Sequence, residues 1–388
     1  MTNLSCHHYN DDMINLSIVV HKNYNKSWRM VVKKEDRLLR IGVLGGGPIA
    51  QSAHFDATRK ARNTELYAIC ERAENLLQTI AEIHRPTVTY REYNAMLADQ
   101  QVEAVILATA DQYHVPLAIQ ALNAGKHVLV EKPMGVTVEE GEALCAKVRE
   151  TGRILQVGNN KRFDPGLAFA QKFIKEEIGE LLAIKVWYCD SAYRYTMTDN
   201  LQPIIVSSEQ MLRPAGNPKA ERQRYYILGH GSHLVDTAHF LAGEIESVQA
   251  RLVKKFDAYC WFVSVAFADR SLGHLDLIIA IRGDWEEGFQ VYGEKGSISG
   301  KMLLPWYHKS SYVECFSATD RQYRRILGED AHTYKLQIEG FADTILKGIP
   351  QHGASAADGL SAIRAMVAIA RSVERGIPVR LADVSGGV

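Results

Sequence analysis

The chain has 388 residues, of which 46% are hydrophobic and 23% are charged, and 45 Lys and Arg residues balance 45 Asp and Glu residues. This composition excludes a disordered, fibrous or low-complexity chain, and the length is sufficient for two domains. Because the net charge is zero, the sequence gives no indication of the basic surface that nucleic acid requires, and we predict no nucleic-acid partner.

The N-terminal segment, residues 1–37, is predicted to be a disordered leader. It is polar, contains several Asn residues and lacks the basic and then apolar layout of a signal peptide. Met30 is an alternative natural start, which would leave residues 1–29 outside the native protein.

The cysteines and the apolar runs indicate the compartment. The six cysteines are scattered, and none forms a C-x-x-C pair or stands at metal-ligand spacing. We therefore predict neither a disulfide framework nor a metal site, and we expect a reducing, cytoplasmic location. The most apolar runs have the length of a strand, well below the ~18 residues of a membrane span, so no membrane association is predicted.

Residues 38–160 are predicted to form a doubly wound α/β domain with a parallel sheet. Short apolar runs, which are typical of buried parallel strands, alternate here with longer amphipathic stretches. Gly125 and Gly152 each follow a helical stretch, as glycines at helix ends do. The predicted strands are 40–44, 65–70, 104–108, 127–130 and 155–158, and the predicted helices are 49–61, 73–83, 115–123 and 138–150.

Residues 161–388 are predicted to form a second, α+β domain with a large, open and mainly antiparallel sheet. Its apolar runs are longer, alternate in polarity and are joined by short turns. The polar stretch 190–224 predicts a long loop or lid, and the stretch 283–288 predicts a turn. The predicted strands are 181–188, 247–255, 259–268, 271–281 and 288–292, and the predicted helices are 232–241 and 357–374, of which the second packs back on the first domain.

A glycine-rich turn follows the first predicted strand and opens the first helix. Gly45, Gly47 and Ala50 match the pattern G-x-G-x-x-A at this point. Such glycines allow a tight turn and bring backbone N–H groups to a pyrophosphate at the helix N-terminus, and a proline suits the first helical position. We therefore predict that Gly45, Gly47, Pro48 and Ile49 bind a dinucleotide.

Glu71 follows the second predicted strand, where dinucleotide-binding domains carry an acid for the ribose hydroxyls. A carboxylate repels a 2′-phosphate, so Glu71 favours NAD as the cofactor. The adjacent Arg72 could accept that phosphate, which leaves NADP open.

Lys132 stands between Glu131 and Pro133, directly after the strand 127–130. In open α/β sheets this carboxyl end of a strand is where ligands bind. Pro133 keeps residue 132 out of the helical region, and a cis bond before it would aim the ammonium at the cleft. An isolated lysine here is better explained as a surface residue, so its role depends on the rest of the sequence.

Five segments carry a family resemblance: the glycine turn at 41–50, and the segments 109–114, 124–133, 157–165 and 231–236. Together they resemble the Gfo/Idh/MocA family, which includes glucose–fructose oxidoreductase and inositol dehydrogenase. The resemblance extends from about residue 40 to residue 381. It implies an N-terminal Rossmann domain, a C-terminal α+β domain whose open sheet often forms oligomer contacts, and pyridine-nucleotide chemistry on sugars, inositols or related polyols.

The resemblance also implies a role for each matching residue. Lys132 corresponds to the lysine that polarises the reacting oxygen, and His233 corresponds to the general acid/base. Asp236 lies one helical turn after His233, on the same helix face, and corresponds to a residue that contacts substrate hydroxyls. Asn160 and Arg162 are implied on the substrate side of the cleft. Thr109, Asp111, His114 and Glu131 are implied on the cofactor side.

One position departs from the family pattern. Several polyol-oxidising members carry an acid four positions before the histidine, where this chain has Gly229. A glycine side chain cannot take part in a proton relay. The relay therefore runs between Lys132 and His233 alone, or another residue or a ligand hydroxyl completes it. The neighbouring His230 is predicted to point off the helix face that carries His233.

The predicted function is hydride transfer between NAD, or alternatively NADP, and a secondary alcohol or ketone of a sugar, an inositol or a glycoside. Oxidation at C3 of a glycoside is the most specific version of this prediction. Two alternatives stay open: a non-catalytic NAD-binding regulator of the same fold, and an NAD-dependent glycosidase. We also expect a homo-oligomer, as a dimer, a tetramer or a hexamer.

Overall fold

The computed structural model describes residues 19–22, 28–31, 37–193, 200–211, 221–328 and 330–388. In the predicted leader, two short strands, β1 (Val19–Lys22) and β2 (Trp28–Val31), pair in the antiparallel sense. The rest of residues 1–36 lies outside the described residues, and the leader boundary at residue 37 stays a prediction.

The described part of the first domain contains a six-stranded parallel sheet with the order β5-β4-β3-β6-β7-β8. This confirms the predicted Rossmann fold class, including all five predicted strands. The strand that the sequence did not predict, at the sheet edge, has only three residues and is only partly buried. The strands are β3 (Leu39–Leu44), β4 (Thr64–Cys70), β5 (Val88–Tyr90), β6 (Ala104–Leu107), β7 (His127–Val130) and β8 (Leu155–Val157).

The strand order reverses between β3 and β6, and a ligand crevice is expected at the carboxyl ends of strands around this point. The helices of the domain cover the two sheet faces. The last of them begins with a capping box formed by Thr137 and Glu140 and ends at Gly152 in the left-handed conformation. The helices are α1 (Phe55–Lys60), which continues a π-helical turn at Ala50–His54, α2 (Glu74–His84), α3 (Tyr93–Ala98), α4 (His114–Asn123) and α5 (Val138–Thr151).

Within the described residues, the second domain carries a nine-stranded sheet, which is antiparallel except for the β9–β12 pair. The predicted large antiparallel sheet is therefore confirmed. Side chains alternate along its strands, and the inward residues pack against helices in one continuous core. The strands are β9 (Leu181–Ser191), β10 (Ile245–Lys255), β11 (Ala258–Phe267), β12 (Leu272–Ile281), β13 (Glu286–Gly293), β14 (Gly296–Met302), β15 (Tyr312–Ser317), β16 (Gln322–Arg325) and β17 (Val379–Arg380).

The predicted turn at 283–288 is wrong in its second half, because β13 already begins at Glu286. Glu287 points into the protein and is only 2% exposed. A charged residue in a polar stretch looks like a turn residue in the sequence. Its burial is possible only because a lysine from a distant segment pairs with it.

Helices on the inner face of this sheet connect the two domains. The last helix begins with a capping box of Ser355 and Asp358 and packs against both α5 and β10. The helices are α6 (Pro165–Glu176), α7 (Arg222–Tyr226), which continues into a π-helical turn at Ile227–Gly231, α8 (Ser232–Ala242), α9 (Thr333–Lys347) and α10 (Ala356–Arg375).

Among the helices that the structure describes, none is both long enough and apolar enough to span a bilayer. The five cysteines in the described ranges, at 70, 145, 189, 260 and 315, are free thiols. In the same ranges, no group of three or more His, Cys, Asp or Glu side chains could hold a metal ion.

Candidate active site

The glycine turn between β3 and the first helix has the geometry of a dinucleotide cradle. Gly45 has a φ of +100°, and a Cβ at this residue would lie 2.6 Å from the carbonyl oxygen of Ala108. Only glycine fits such a position. A Cβ at Gly47, by contrast, would lie 4.0 Å from its nearest neighbour, the same carbonyl oxygen, so an open space lies beside the N-terminus of the helix. This space can take a phosphate group.

Glu71 is fixed next to the same turn. Its Oε2 accepts a hydrogen bond from the backbone N–H of Gly46 at 2.8 Å, and its Oε1 accepts one from the backbone N–H of Ala73 at 2.9 Å. The carboxylate thus lies between the glycine turn and the start of α2. Arg72, the residue that leaves NADP open, is exposed beside it.

Part of the predicted lid reaches back to the glycine turn. The side-chain amide of Gln51 donates to the carbonyl oxygens of Gly46, at 2.7 Å, and Val206, at 2.8 Å. The backbone N–H of Val206 donates in turn to Gln51 Oε1 at 2.9 Å. Residues 194–199 and 212–220 of the predicted lid lie outside the described residues. The described segment around Val206 therefore covers the first turn of the helix that follows the cradle.

A cavity, which we call the Lys132 cavity, opens at the carboxyl ends of β6 and β7. Eight of the residues that the sequence predicted as site residues line it: Ile49, Thr109, Asp111, His114, Glu131, Lys132, Asn160 and His233. The other lining residues all belong to the second domain. They are Lys161, Tyr188, Tyr225, Gly229, His230, Trp285, Leu304, Pro305, Trp306 and Tyr334. The cofactor side and the substrate side of the predicted site therefore meet in one space.

Lys132 is held by the segment that leads into the helix of His233. Its peptide bond to Pro133 is cis, and its Nζ donates to the carbonyl oxygen of Gly229 at 3.1 Å. Gly229, which stands where several family members carry an acid, thus contacts Lys132 through its backbone carbonyl group. Because Gly229 and His233 belong to consecutive turns, the contact places the ammonium beside the helix that carries the predicted acid/base.

Glu131 is a buried support for Lys132. Its Oε1 lies 2.8 Å from Nε2 of the buried His54, and its Oε2 accepts from the backbone N–H of Lys132 at 3.1 Å. Burial alone would raise the pKa of Glu131, but the hydrogen bond to His54 and the neighbouring cations outweigh burial and lower it. Glu131 is therefore a carboxylate that holds the backbone of Lys132, and its predicted contact with the cofactor stays a prediction.

His114 connects the two loops on the cofactor side. Its Nδ1 lies 2.7 Å from the carbonyl oxygen of Pro133, and its Nε2 lies 3.2 Å from that of Thr109. The imidazole thus ties the loop after β6 to the loop after β7. Asn160 is positioned separately, by a hydrogen bond from its Nδ2 to Thr333 Oγ1 at 2.8 Å.

Arg162 and Asp236, both predicted to bind substrate, form an ion pair with each other. Arg162 donates from Nη2 to Asp236 Oδ1 at 2.7 Å and from Nε to both carboxylate oxygens at 3.1 Å. It also donates to Asp358 at the start of α10, at 3.1 Å. Arg162 and Asp236 are both about 95% buried, and neither belongs to the described lining of the Lys132 cavity. Their observed contacts join α8 to α10, and their predicted contact with substrate stays a prediction.

The comparisons with known proteins cover both domains. Residues 39–159 match the model described as the oxidoreductase family with an NAD-binding Rossmann fold. Residues 170–299 match the model of the GFO/IDH/MocA C-terminal domain, so the two models of one family cover more than half of the chain. The chain belongs to the Gfo/Idh/MocA oxidoreductase family.

Several relatives are similar over most or half of the chain. Inositol 2-dehydrogenase of Rubrobacter xylanophilus is 23% identical over 363 residues, which are 90% of this chain and 95% of that protein. The 4-carboxy-2-hydroxymuconate-6-semialdehyde dehydrogenase of a Sphingobium species is 29% identical over 221 residues, 56% of this chain and 62% of that protein. Among solved structures, levoglucosan dehydrogenase in complex with NADH shares the fold with a TM-score of 0.71 at 21% identity, over 89% of this chain and 99% of that one.

The cradle fits the NAD that this oxidoreductase family binds. The space at Gly47, the backbone N–H groups of the turn and the carboxylate of Glu71 offer sites for a pyrophosphate and for ribose hydroxyls. A dinucleotide held there has the Lys132 cavity at the carboxyl ends of the next strands. The residues present are therefore those that an NAD-binding domain requires.

The sequence did not identify a second buried ion pair, between Lys161 and Glu287. Both side chains are more than 90% buried, and Lys161 Nζ lies 4.5 Å above the ring of Tyr188. Burial lowers the pKa of Lys161 and raises the pKa of Glu287, so each group depends on the other to stay charged. Lys161 lies between the two predicted site residues Asn160 and Arg162. This place in the sequence is the signal that could have identified Lys161 as a site residue.

The prediction for His230 is wrong, because His230 and His233 line the same cavity. His230 reaches the cavity from a π-helical turn, and its ring lies 5.4 Å from the ring of Tyr188. The ring of Tyr188 stacks parallel to His233, with 6.0 Å between the ring centroids. The lining of the cavity thus contains three histidines, His114, His230 and His233.

Proposed function

We propose that the protein oxidises a secondary alcohol of a sugar, an inositol or a glycoside with NAD, and that the reverse reduction uses the same groups. The observation that carries this proposal is the meeting of Lys132 and His233 in one cavity beside the NAD-binding turn. A lysine ammonium and an imidazole are the two groups that an alcohol oxidation needs from the protein.

Each of the two side chains has a distinct task in this reaction. His233 accepts the hydroxyl proton of the substrate, since an imidazole titrates near neutral pH. Lys132 stabilises the negative charge that develops on the oxygen, and its contact with Gly229 keeps the ammonium in place. The nicotinamide of bound NAD supplies the hydride acceptor. Glu131 and His114 hold the loops that carry Lys132 and Thr109.

Two observations support a cyclic polyol as the substrate. The names of the similar proteins include inositol and levoglucosan as substrates, although one relative is named for a semialdehyde. The cavity also has the aromatic side chains of Tyr188, Trp285 and Trp306 in its lining. Such a lining suits a ring that has an apolar C–H face and polar edges. A glycoside oxidised at C3 is the bulkier member of this substrate class.

The experiment is a panel of inositols, free sugars and p-nitrophenyl glycosides, incubated with NAD or NADP and followed by absorbance at 340 nm. We expect NADH formation with at least one cyclic polyol, and NAD to be preferred because of Glu71. The Lys132→Met variant should bind NADH as the wild type does, but its turnover should fall by at least ~10²-fold.

The same panel separates the competing functions. A regulator would bind NADH and oxidise none of the compounds. An NAD-dependent glycosidase would release p-nitrophenol without net NADH formation. Full activity in the Lys132→Met variant would contradict the assignment of Lys132 even if a substrate is found.

We also propose that two or more copies assemble through the outer face of the large sheet. This face exposes Phe262 and Leu272 on adjacent strands, and the family resemblance implies oligomer contacts there. Light scattering should give a mass above one chain, and Phe262→Glu should reduce it. A cytoplasmic location stays a prediction.

A further inference from the structure

Position 229 leaves one proton-handling group of this cavity unassigned, and the next residue is a histidine. The π-helical turn Ile227–Gly231 carries His230 into the lining of the Lys132 cavity, beside His233. The sequence leaves open which residue completes the proton relay of Lys132 and His233. His230 is the one titratable side chain of this turn, which makes it the first candidate.

His230 is held by two side chains of the neighbouring strand β9. Its Nδ1 lies 3.4 Å from the hydroxyl oxygen of Tyr188 and 3.6 Å from Oδ2 of Asp190. All three residues are at least 94% buried. The carboxylate of Asp190 therefore faces the imidazole in a place from which most water is excluded.

This environment suits a proton carrier. A carboxylate close to one ring nitrogen favours the protonated ring. Buried polar groups are kept only where they find partners, so the cost of burying Asp190 and His230 together is partly offset by their contact.

Tyr188 connects the two histidines. Its ring lies 5.4 Å from the ring of His230 and stacks on His233 with an angle of 3° between the planes. The charged and titratable groups that face His230 come from several elements. They are Asp190 and Tyr188 of β9, Tyr225 and Tyr226 of α7, His233 of α8, Lys161 above Tyr188, and Glu287 of β13 near Asp190.

We propose that His230, supported by Asp190, is the second proton-transferring residue of the cavity and replaces the acid that position 229 lacks. In the oxidation, His233 takes the proton of the reacting hydroxyl. The protonated His233 then gives a proton to a neighbouring hydroxyl of the substrate, and that hydroxyl gives its own proton to His230. His230 releases the proton to solvent, so one proton leaves for each hydride transferred and His233 returns to its neutral form.

The inference rests on the proposed dehydrogenase function, and the test uses the substrate found in the panel. His230→Ala should lower kcat by about 10²-fold and leave KM and NADH binding nearly unchanged, whereas the melting temperature should fall because Asp190 loses a buried contact. Added imidazole should restore part of the lost kcat, which a merely structural role would not allow. His274→Ala is the matched control, because His274 lies exposed on β12, away from the cavity.

Asp190→Asn provides a second variant of nearly unchanged shape. Without the carboxylate, the protonated form of His230 is less stable, so the acidic limb of the kcat profile should move to lower pH by about one unit or more. The inference is overturned if the wild type is active but His230→Ala keeps its kcat, or loses it together with NADH binding, or is not rescued by imidazole. An unmoved profile in Asp190→Asn also counts against it. If the wild type oxidises no compound of the panel, the proposed function fails first, and this inference fails with it.

Discussion

The two sides of the Lys132 cavity are built in different ways. On the side of the first domain, backbone geometry defines the site: the turn at Gly45, the cis bond after Lys132 and the carbonyl groups that contact His114. On the side of the second domain, buried pairs of charged side chains support it: Lys161 lines the cavity, whereas Glu287, Arg162 and Asp236 lie outside the described lining. Lys161 pairs with Glu287 and Arg162 with Asp236, and in each pair the two residues are more than 70 positions apart in the chain.

This difference separates the predicted cofactor side of the cavity from its predicted substrate side. A backbone site depends on a few glycines and on strand ends, so it tolerates changes in most side chains around it. A site made of buried ion pairs depends on every partner, because a single removal leaves an uncompensated charge. Substitutions on the two sides should therefore differ in the size and in the kind of their effects.

The largest effect on stability is expected from Arg162→Met. This change leaves the buried carboxylate of Asp236 without its cation and should lower the free energy of unfolding by about 3–5 kcal/mol. Urea unfolding followed by tryptophan fluorescence measures it. Arg91→Met is the matched control, because the Arg91–Glu74 pair is exposed and should contribute at most about 1 kcal/mol. Equal effects of the two substitutions would show that the buried network does not stabilise the second domain.

The same contrast explains what could be predicted from the sequence. The cradle residues and Lys132 follow apolar strands at fixed short distances, so local pattern was sufficient to find them. The five strands of the parallel sheet were found for the same reason. The short strands β5 and β16 were not, because three or four residues are too few to show an alternating pattern, and β16 is also polar.

The ion pairs could not be predicted, because the identity of a partner depends on the three-dimensional fold. The sequence predicts a turn at Glu287, although the structure buries this residue against Lys161. Arg162 was assigned to the substrate from its motif, and its pairing with Asp236 became visible only when the helices were in place. The position of His230 depends on the fold as well, because the cavity lining includes the turn before α8 in addition to α8 itself.

A smaller effect is expected from Asp358→Asn, and it should depend on pH. Asp358 contacts Arg162 and His239, and although burial alone would raise the pKa of this carboxyl group, those contacts lower it below its usual 3.8. Its ionised form therefore stabilises the fold above about pH 4, and this contribution is lost as the pH falls further. At pH 7 the variant should be less stable by about 1.5–3 kcal/mol.

The difference between this variant and the wild type should shrink as urea unfolding is repeated from pH 7 down to pH 3. A difference that stays constant over this range would assign the effect to the amide itself rather than to the lost charge.

The next pair of substitutions tests the backbone side. Gly45→Ala requires a left-handed alanine whose methyl group meets the carbonyl oxygen of Ala108, and it should cost at least about 1–2 kcal/mol of stability. Gly47→Ala has space for its methyl group in the protein but fills the cradle. It should keep the melting temperature and weaken NADH binding by tenfold or more. If Gly47→Ala binds NADH normally, the phosphates do not lie at this turn.

The smallest effect is expected where the two sides meet, at Gln51. Its amide joins the carbonyl group of Gly46 in the turn to Val206 in the covering segment, which comes from the second domain. Gln51→Ala removes these hydrogen bonds, each of which contributes about 1 kcal/mol, and releases the cover without changing the cradle. NADH should therefore dissociate several-fold faster in stopped-flow fluorescence, while kcat with saturating NAD stays within twofold or rises. Gln100→Ala, at an exposed amide of the same domain, should leave the dissociation rate unchanged. An unchanged rate in Gln51→Ala would mean that the segment around Val206 does not retain the cofactor, and the backbone turn alone would then set its affinity.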